Sequence, residues 1–165
     1  MTLEIEPRPL TAKAFEPFGD VIEASDRAQQ ISINYGSATR FHDLARLDVT
    51  EGGGHAIVSL FRALPLVSPL LEVFERHPLG TQAFIPLMGR PYLVAVAPAG
   101  PWNAAGVEVF RAGPGQGVNY RRGVWHHFLL ALEEQSDFLV IDRAGPGDNL
   151  EEVHLAVSDQ ILVRI

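Results

Sequence analysis

The 165-residue chain contains no cysteine, which excludes a disulfide framework, thiol catalysis and a Cys-ligated zinc site. It also lacks a long apolar run: no stretch approaches the roughly 20 residues needed to span a bilayer. The N-terminus shows no basic region followed by an apolar one, so no signal peptide is expected. These absences together point to a cytoplasmic protein. Basic residues are outnumbered, 13 Lys and Arg against 20 Asp and Glu. The net charge of −7 offers no general attraction to nucleic acid or anionic membranes, and neither is expected as a partner. There is no G-x-S-x-G elbow, no H-E-x-x-H helix and no phosphate-gripping loop ending in Lys-Ser/Thr. Gly113-Pro-Gly-Gln-Gly117 is glycine-rich, but no helical pattern follows it, so it reads as a turn.

What remains is a chain of ordinary composition, 47% hydrophobic and 20% charged, long enough for one domain over residues 1–165 with its own core. Helical periodicity is scarce. Thr11 is a candidate N-cap for a short helix over 12–18 stopped by Gly19, with Phe15 and Phe18 on its buried face. Residues 1–10 read as an extended entry and 20–23 as a strand. The polar stretch 25–54, with Gly52-Gly-Gly54, reads mostly as loop or irregular edge strand and is a candidate lid. Short strands are expected over 55–62, 71–77, 82–87, 91–97, 107–111, 117–122, 128–132 and 137–142, with a last one in 153–165. Gly/Pro turns such as Pro98-Ala-Gly-Pro101 and Gly145-Pro-Gly147 separate them. This pattern predicts an all-β fold, a double-sheet β-barrel with one or two short helices.

Two stretches concentrate polar chemistry. One is Gly117-Val-Asn-Tyr-Arg-Arg-Gly-Val-Trp-His-His-Phe128, the other Glu75-Arg-His-Pro-Leu-Gly-Thr-Gln-Ala-Phe-Ile-Pro86. The expectation is that they face one another and form one site. Gly123-x-x-His126 resembles the spacing by which cupin-like barrels turn a strand and aim a histidine inward. His77, Gln82 and His126 then form a polar cluster, and imidazoles with an oxygen ligand suit nickel, manganese or iron. The usual first cupin motif carries two histidines and a glutamate, whereas a histidine and a glutamine stand here. Adjacent strand residues face opposite ways, so one of His126 and His127 is expected to enter the pocket. The same alternation separates Arg121 from Arg122. Asp142-Arg143 reads as a local turn with an ion pair.

The two stretches, with Asp137-Phe-Leu-Val-Ile-Asp-Arg143, resemble the ureidoglycolate lyase family, formerly called ureidoglycolate hydrolase. Ala14-Phe15, Phe18-Gly-Asp20 and Arg40-Phe-His-Asp43 extend the resemblance over nearly the whole chain. Phe128 stands where the family leads one to expect proline. The resemblance implies a cupin-like barrel, a homodimer, and cleavage of ureidoglycolate to glyoxylate and urea in allantoin and purine breakdown, helped by a divalent metal, nickel in particular. On that reading His126, His77 and Glu75 are the catalytic candidates. Arg76, Gln82, Asn119, Tyr120 and Arg122 are the substrate-binding candidates, with Arg76 or Arg122 clamping the carboxylate. His77, Gln82 and His126 are the metal candidates. Two rival readings are an amidohydrolase that releases ammonia and a non-catalytic cupin that binds a small acid.

Overall fold

The computed structural model describes residues 3–165; residues 1 and 2 of the expected extended entry lie outside them. Thr11 caps a one-turn helix, Ala12–Phe15, its side-chain oxygen accepting from the Ala14 N–H at 3.2 Å. Phe15 and Phe18 are both buried. Everything else regular is strand, apart from single 3₁₀ turns at Asn34–Gly36, Glu51–Gly53, Ala104–Gly106 and Val157–Asp159.

Two sheets carry the site. The first runs in the order Glu151–His154, Val73–Arg76, Trp125–His126, Tyr92–Ala97, Glu108–Ala112 and Arg8–Pro9, with Leu130–Ala131 also pairing with Tyr92–Ala97. It is mixed, because Arg8–Pro9 joins Glu108–Ala112 in parallel. The second is antiparallel and runs Gly19–Ile22, Gly117–Tyr120, Gln82–Pro86, Ser136–Ala144, His55–Ala63. A small sheet of Leu3–Ile5, Ile161–Val163 and Leu70–Leu71 and a hairpin of Gln29–Ile33 with Ala38–His42 complete the architecture.

The barrel expectation is overturned. Each strand order ends in two free edges, so the sheets are open, two are mixed, and none closes on itself. One short α-helix is present among the described residues. Period-2 alternation specifies which face of a strand is buried, but not whether the outermost strands find each other.

The main core lies between the two sheets. Val94, Val96 and Phe110 from the first pack with Phe84, Val118, Phe138 and Val140 from the second, and Phe15 and Phe18 close one side. Rings of Phe15, Phe18 and Phe110 meet at centroid separations of 5.7–6.1 Å, a geometry that adds to the burial of their large apolar area. A second cluster, including Leu71, Phe74, Leu93, Val109 and Trp125, covers the other face of the first sheet. The two faces of Val73–Arg76 therefore meet different surroundings: Phe74 enters the second cluster while Glu75 turns toward the first core.

Candidate active site

Strand register brings the two polar stretches together. Glu75 and His126 are directly paired across antiparallel strands, so their side chains share a face. Gln82 pairs with Tyr120 in the opposite sheet. Strand Val73–Arg76 ends one residue before His77, and the segment 77–81 crosses from one sheet to the other. The crossing is pinned on its backbone: the Gly123 N–H donates to the His77 carbonyl at 3.0 Å, and Arg122 Nε donates to the Pro78 carbonyl at 3.1 Å. Gly123 holds φ +75°, a conformation a residue with a Cβ rarely adopts; that turn delivers His126 into place.

Glu75, His77 and His126 each offer a ligand atom within 4.8 Å of the others. Glu75 Oε1 stands 3.4 Å from His126 Nε2 and 3.8 Å from His77 Nε2. The His126 ring is 2% exposed and lies flat on Tyr120, with centroids 4.3 Å apart and planes 8° from parallel. Its Nδ1 meets the Val124 carbonyl at 3.2 Å. A carbonyl only accepts, so Nδ1 carries the hydrogen and Nε2 presents a lone pair. That Nε2 is buried and has no aligned hydrogen-bond partner among the described residues.

Burial pushes the His126 imidazolium to ionise below the usual histidine range, and the neighbouring Glu75 only partly offsets it. Burial alone would raise the Glu75 carboxyl, but the adjoining His126 and His77 outweigh it and hold the group lower than an ordinary carboxyl. Burial raises the Tyr120 phenol well beyond its ordinary value. The resting site thus pairs a neutral histidine with a carboxylate.

These groups open onto a cavity of about 370 Å³ whose lining includes Glu75, Tyr120, His126 and His127, with Phe61, Phe84 and Phe128 as apolar walls. Both histidines border it, yet the alternation argument holds locally: His126 stacks on Tyr120, while the His127 ring packs edge-on against Phe74 at 5.7 Å. Gln82 stands behind His77, its Oε1 3.1 Å from Nε2.

The other sequence candidates lie elsewhere. Arg76 neighbours Glu75 on its strand and therefore faces away. It bonds Glu151 and the Gly100 carbonyl and lies 4.5 Å over Trp125. Arg122 borders a different cavity, with Arg46, Arg121, Asp20 and Asp48, and approaches Asp48 and Glu51 at 3.4 Å. Asn119 is fully buried, donating to Asp20 and to the Arg46 carbonyl. Arg62 borders the histidine cavity along its strand, but its guanidinium is held bidentately by Asp137 at 2.8 and 2.9 Å, on the face of the sheet opposite Phe61 and Phe138. Asp142 makes no ion pair with Arg143: it accepts from Gln82, while buried Arg143 donates to the Glu51 and Pro146 carbonyls. Asp142 escapes sequence reading as a site residue because it reaches Gln82 from a strand remote in the chain.

Comparison with known proteins shows the family. Residues 2–163 match the family model described as ureidoglycolate lyase. A Burkholderia mallei protein named ureidoglycolate lyase is 55% identical over 158 residues, covering 95% of this chain and 91% of its own. A Pseudomonas putida protein of the same name is 52% identical over 164 residues, covering 98% and 96%. Among solved structures, a dTDP sugar isomerase from Desulfovibrio desulfuricans aligns at 19% identity over 83% of this chain and 85% of its own, with a TM-score of 0.45, too distant to inform the site. The family match spans nearly all of the chain, and the chain belongs to the ureidoglycolate lyase family.

Proposed function

We infer from the family match that this chain cleaves ureidoglycolate to glyoxylate and urea, in the breakdown of allantoin and purines. The observation that carries the chemistry is the buried, unpartnered Nε2 of a neutral His126 beside the Glu75 carboxylate. In ureidoglycolate one carbon bears a hydroxyl, a carboxylate and a urea nitrogen. Elimination removes the hydroxyl proton as the C=O bond forms; the C–N electron pair leaves with the urea nitrogen, which gains a proton. No water is consumed.

We assign His126 Nε2 as the base. Taking the proton makes its ring cationic, and Glu75 at 3.4 Å stabilises that charge. His77 stands on the other side of Glu75 and is assigned to the departing nitrogen. Positioned proton transfers of this kind contribute on the order of 10²–10⁴-fold each. Replacing His126 with Ala should therefore lower kcat at least about a hundredfold; near-normal turnover would remove it from the mechanism.

Glu75, His77 and His126 also fit a divalent transition ion. Two imidazoles and a carboxylate are a suitable donor set, the unpartnered His126 Nε2 is a ready ligand atom, and the Asn149 carbonyl at 2.7 Å orients His77 from behind. An ion held there would supply Lewis acidity to the substrate's hydroxyl and carboxylate oxygens. Turnover by chelated and nickel-restored protein decides whether His126 serves as base or as ligand.

We further propose a homodimer. Strand His55–Ala63 is an outer edge of its sheet, and it exposes Val58 (67%) and Leu60 (66%). A long apolar edge left unpaired is a template for association. The cysteine-free composition suits the cytoplasm, where we place the reaction. No helix among the described residues is long and apolar enough to cross a membrane.

A further inference from the structure

We propose that Asp142 is a positioning residue of the active site: it fixes the side-chain amide of Gln82, and through that amide the orientation of His77. The argument is one of hydrogen-bond polarity and rests, for its catalytic consequence, on the elimination assigned above.

His77 Nδ1 lies 2.7 Å from the Asn149 carbonyl oxygen. On its other side, Nε2 lies 3.1 Å from Gln82 Oε1, and the Gln82 Nε2 amide donates to Asp142 Oδ2 at 3.1 Å. Turning the Gln82 amide over would set its oxygen against the Asp142 carboxylate, acceptor against acceptor. Asp142 therefore dictates that Gln82 presents oxygen to His77. A lone-pair acceptor then meets each ring nitrogen, with Glu75 Oε1 a third at 3.8 Å from Nε2. Among the described residues, no donor faces either nitrogen. The Asn149 and Gln82 oxygens thus hold the His77 ring from both sides, and Asp142 sets which Gln82 atom does so.

Two further features favour a positioning role over simple packing. Gln82 is 5% exposed, so its amide has no solvent to exchange with and its orientation is a choice the protein makes. The second oxygen, Asp142 Oδ1, is buried without a partner. Leaving a buried acceptor unsatisfied is costly, and packing alone would be better served by an apolar side chain of similar shape. The contact also crosses from strand Ser136–Ala144 to Gln82–Pro86, neighbours in the second sheet. A substitution at Asp142 thus reaches His77 with no change to the first sheet, where Glu75 and His126 sit.

The test uses full-length, chelated protein and two variants, Asp142→Asn and the shape-conserving Asp142→Leu. Asparagine can donate or accept, so it lets the Gln82 amide take either orientation. Losing a partner that orients a site histidine typically lowers activity about 10- to 100-fold. Both variants should lose that much in kcat, with KM within about twofold and melting temperature nearly unchanged. Alongside, the ring-nitrogen resonances of ¹⁵N-labelled His77 should move in Asp142→Asn while those of His126 stay. Unmoved His77 resonances in a folded variant would overturn the proposal, whatever the substrate. If the wild-type protein releases no urea from ureidoglycolate, the assigned reaction fails, yet the resonance measurement still decides the role of Asp142. If His77 moves and kcat does not, Asp142 positions the ring without serving catalysis, and the proposal as stated falls.

Discussion

Glu75→Gln isolates the charge at the centre of the site. The substitution keeps the shape of the side chain and one oxygen, and it removes a negative charge 3.4 Å from His126 Nε2 and 3.8 Å from His77 Nε2. When His126 takes the substrate proton, a full ion pair at 3.4 Å in a medium of effective dielectric constant about 20 is worth about 5 kcal/mol. The Glu75 side chain is 19% exposed, so solvent lowers that ceiling. A loss of 10²–10⁴ in rate corresponds to about 2.7–5.4 kcal/mol of barrier, within the same range. We therefore expect kcat to fall between about a hundredfold and ten-thousandfold. KM should change little, since the carboxylate acts on the reacting proton and not on the ground-state grip. Steady-state release of urea, with a urea-denaturation curve on the same sample to show that it is folded, is the assay. A folded variant that retains more than about a tenth of wild-type kcat would refute the placement of Glu75 beside the developing charge.

Two further outcomes follow from burial and from the edge strand. His126 and His127 both ionise below the ordinary histidine value of 6.5 because burial disfavours their charged forms. As pH falls through 6.5 the unfolded chain binds protons that the folded one refuses, so their linkage lowers stability in that window. Melting temperature should drop between about pH 7.5 and about pH 5.5, and less so in His126→Phe; a wild-type curve flat across that range would contradict the buried neutral rings. Leu60→Arg puts a charge on the exposed outer strand His55–Ala63 and should shift sedimentation from dimer to monomer; an unchanged dimer would place the interface elsewhere.

Most of the strands were legible, because their buried positions alternate and Gly/Pro turns separate them. Phe138 and Val140 in strand Ser136–Ala144 are fully buried, while Asp137, Leu139 and Ile141, which alternate with them, are only partly so. The hairpin Gln29–Ile33 with Ala38–His42 falls in the stretch read as loop or irregular edge strand, and its register is not legible because neither strand has a buried residue to mark a face. Trp125–His126 was too short to register as a strand, although it delivers the central histidine. Sheet closure was misjudged because it depends on edges meeting across the fold, which no local pattern encodes. In the site, Glu75, His77, Gln82, Tyr120 and His126 stood out as dense polar motifs. Alternation along Val73–Arg76 turns Arg76 away from Glu75, but the same rule does not separate Arg121 from Arg122, which lie beyond the end of strand Gly117–Tyr120 and border one cavity together. Asp142 and Asn149 are out of reach, since long-range contacts alone bring them beside the motifs.

The central claim is that this site splits the C–N bond by elimination, without hydrolysing the ureido group. Purified protein, chelated and nickel-restored, given ureidoglycolate and assayed separately for urea, ammonia and glyoxylate, tests it most directly. The account predicts urea and glyoxylate in equal amounts with no ammonia. Ammonia in place of urea would contradict it and assign the site to amide hydrolysis, and binding without turnover in both samples would leave a pocket that holds a small acid and does no chemistry.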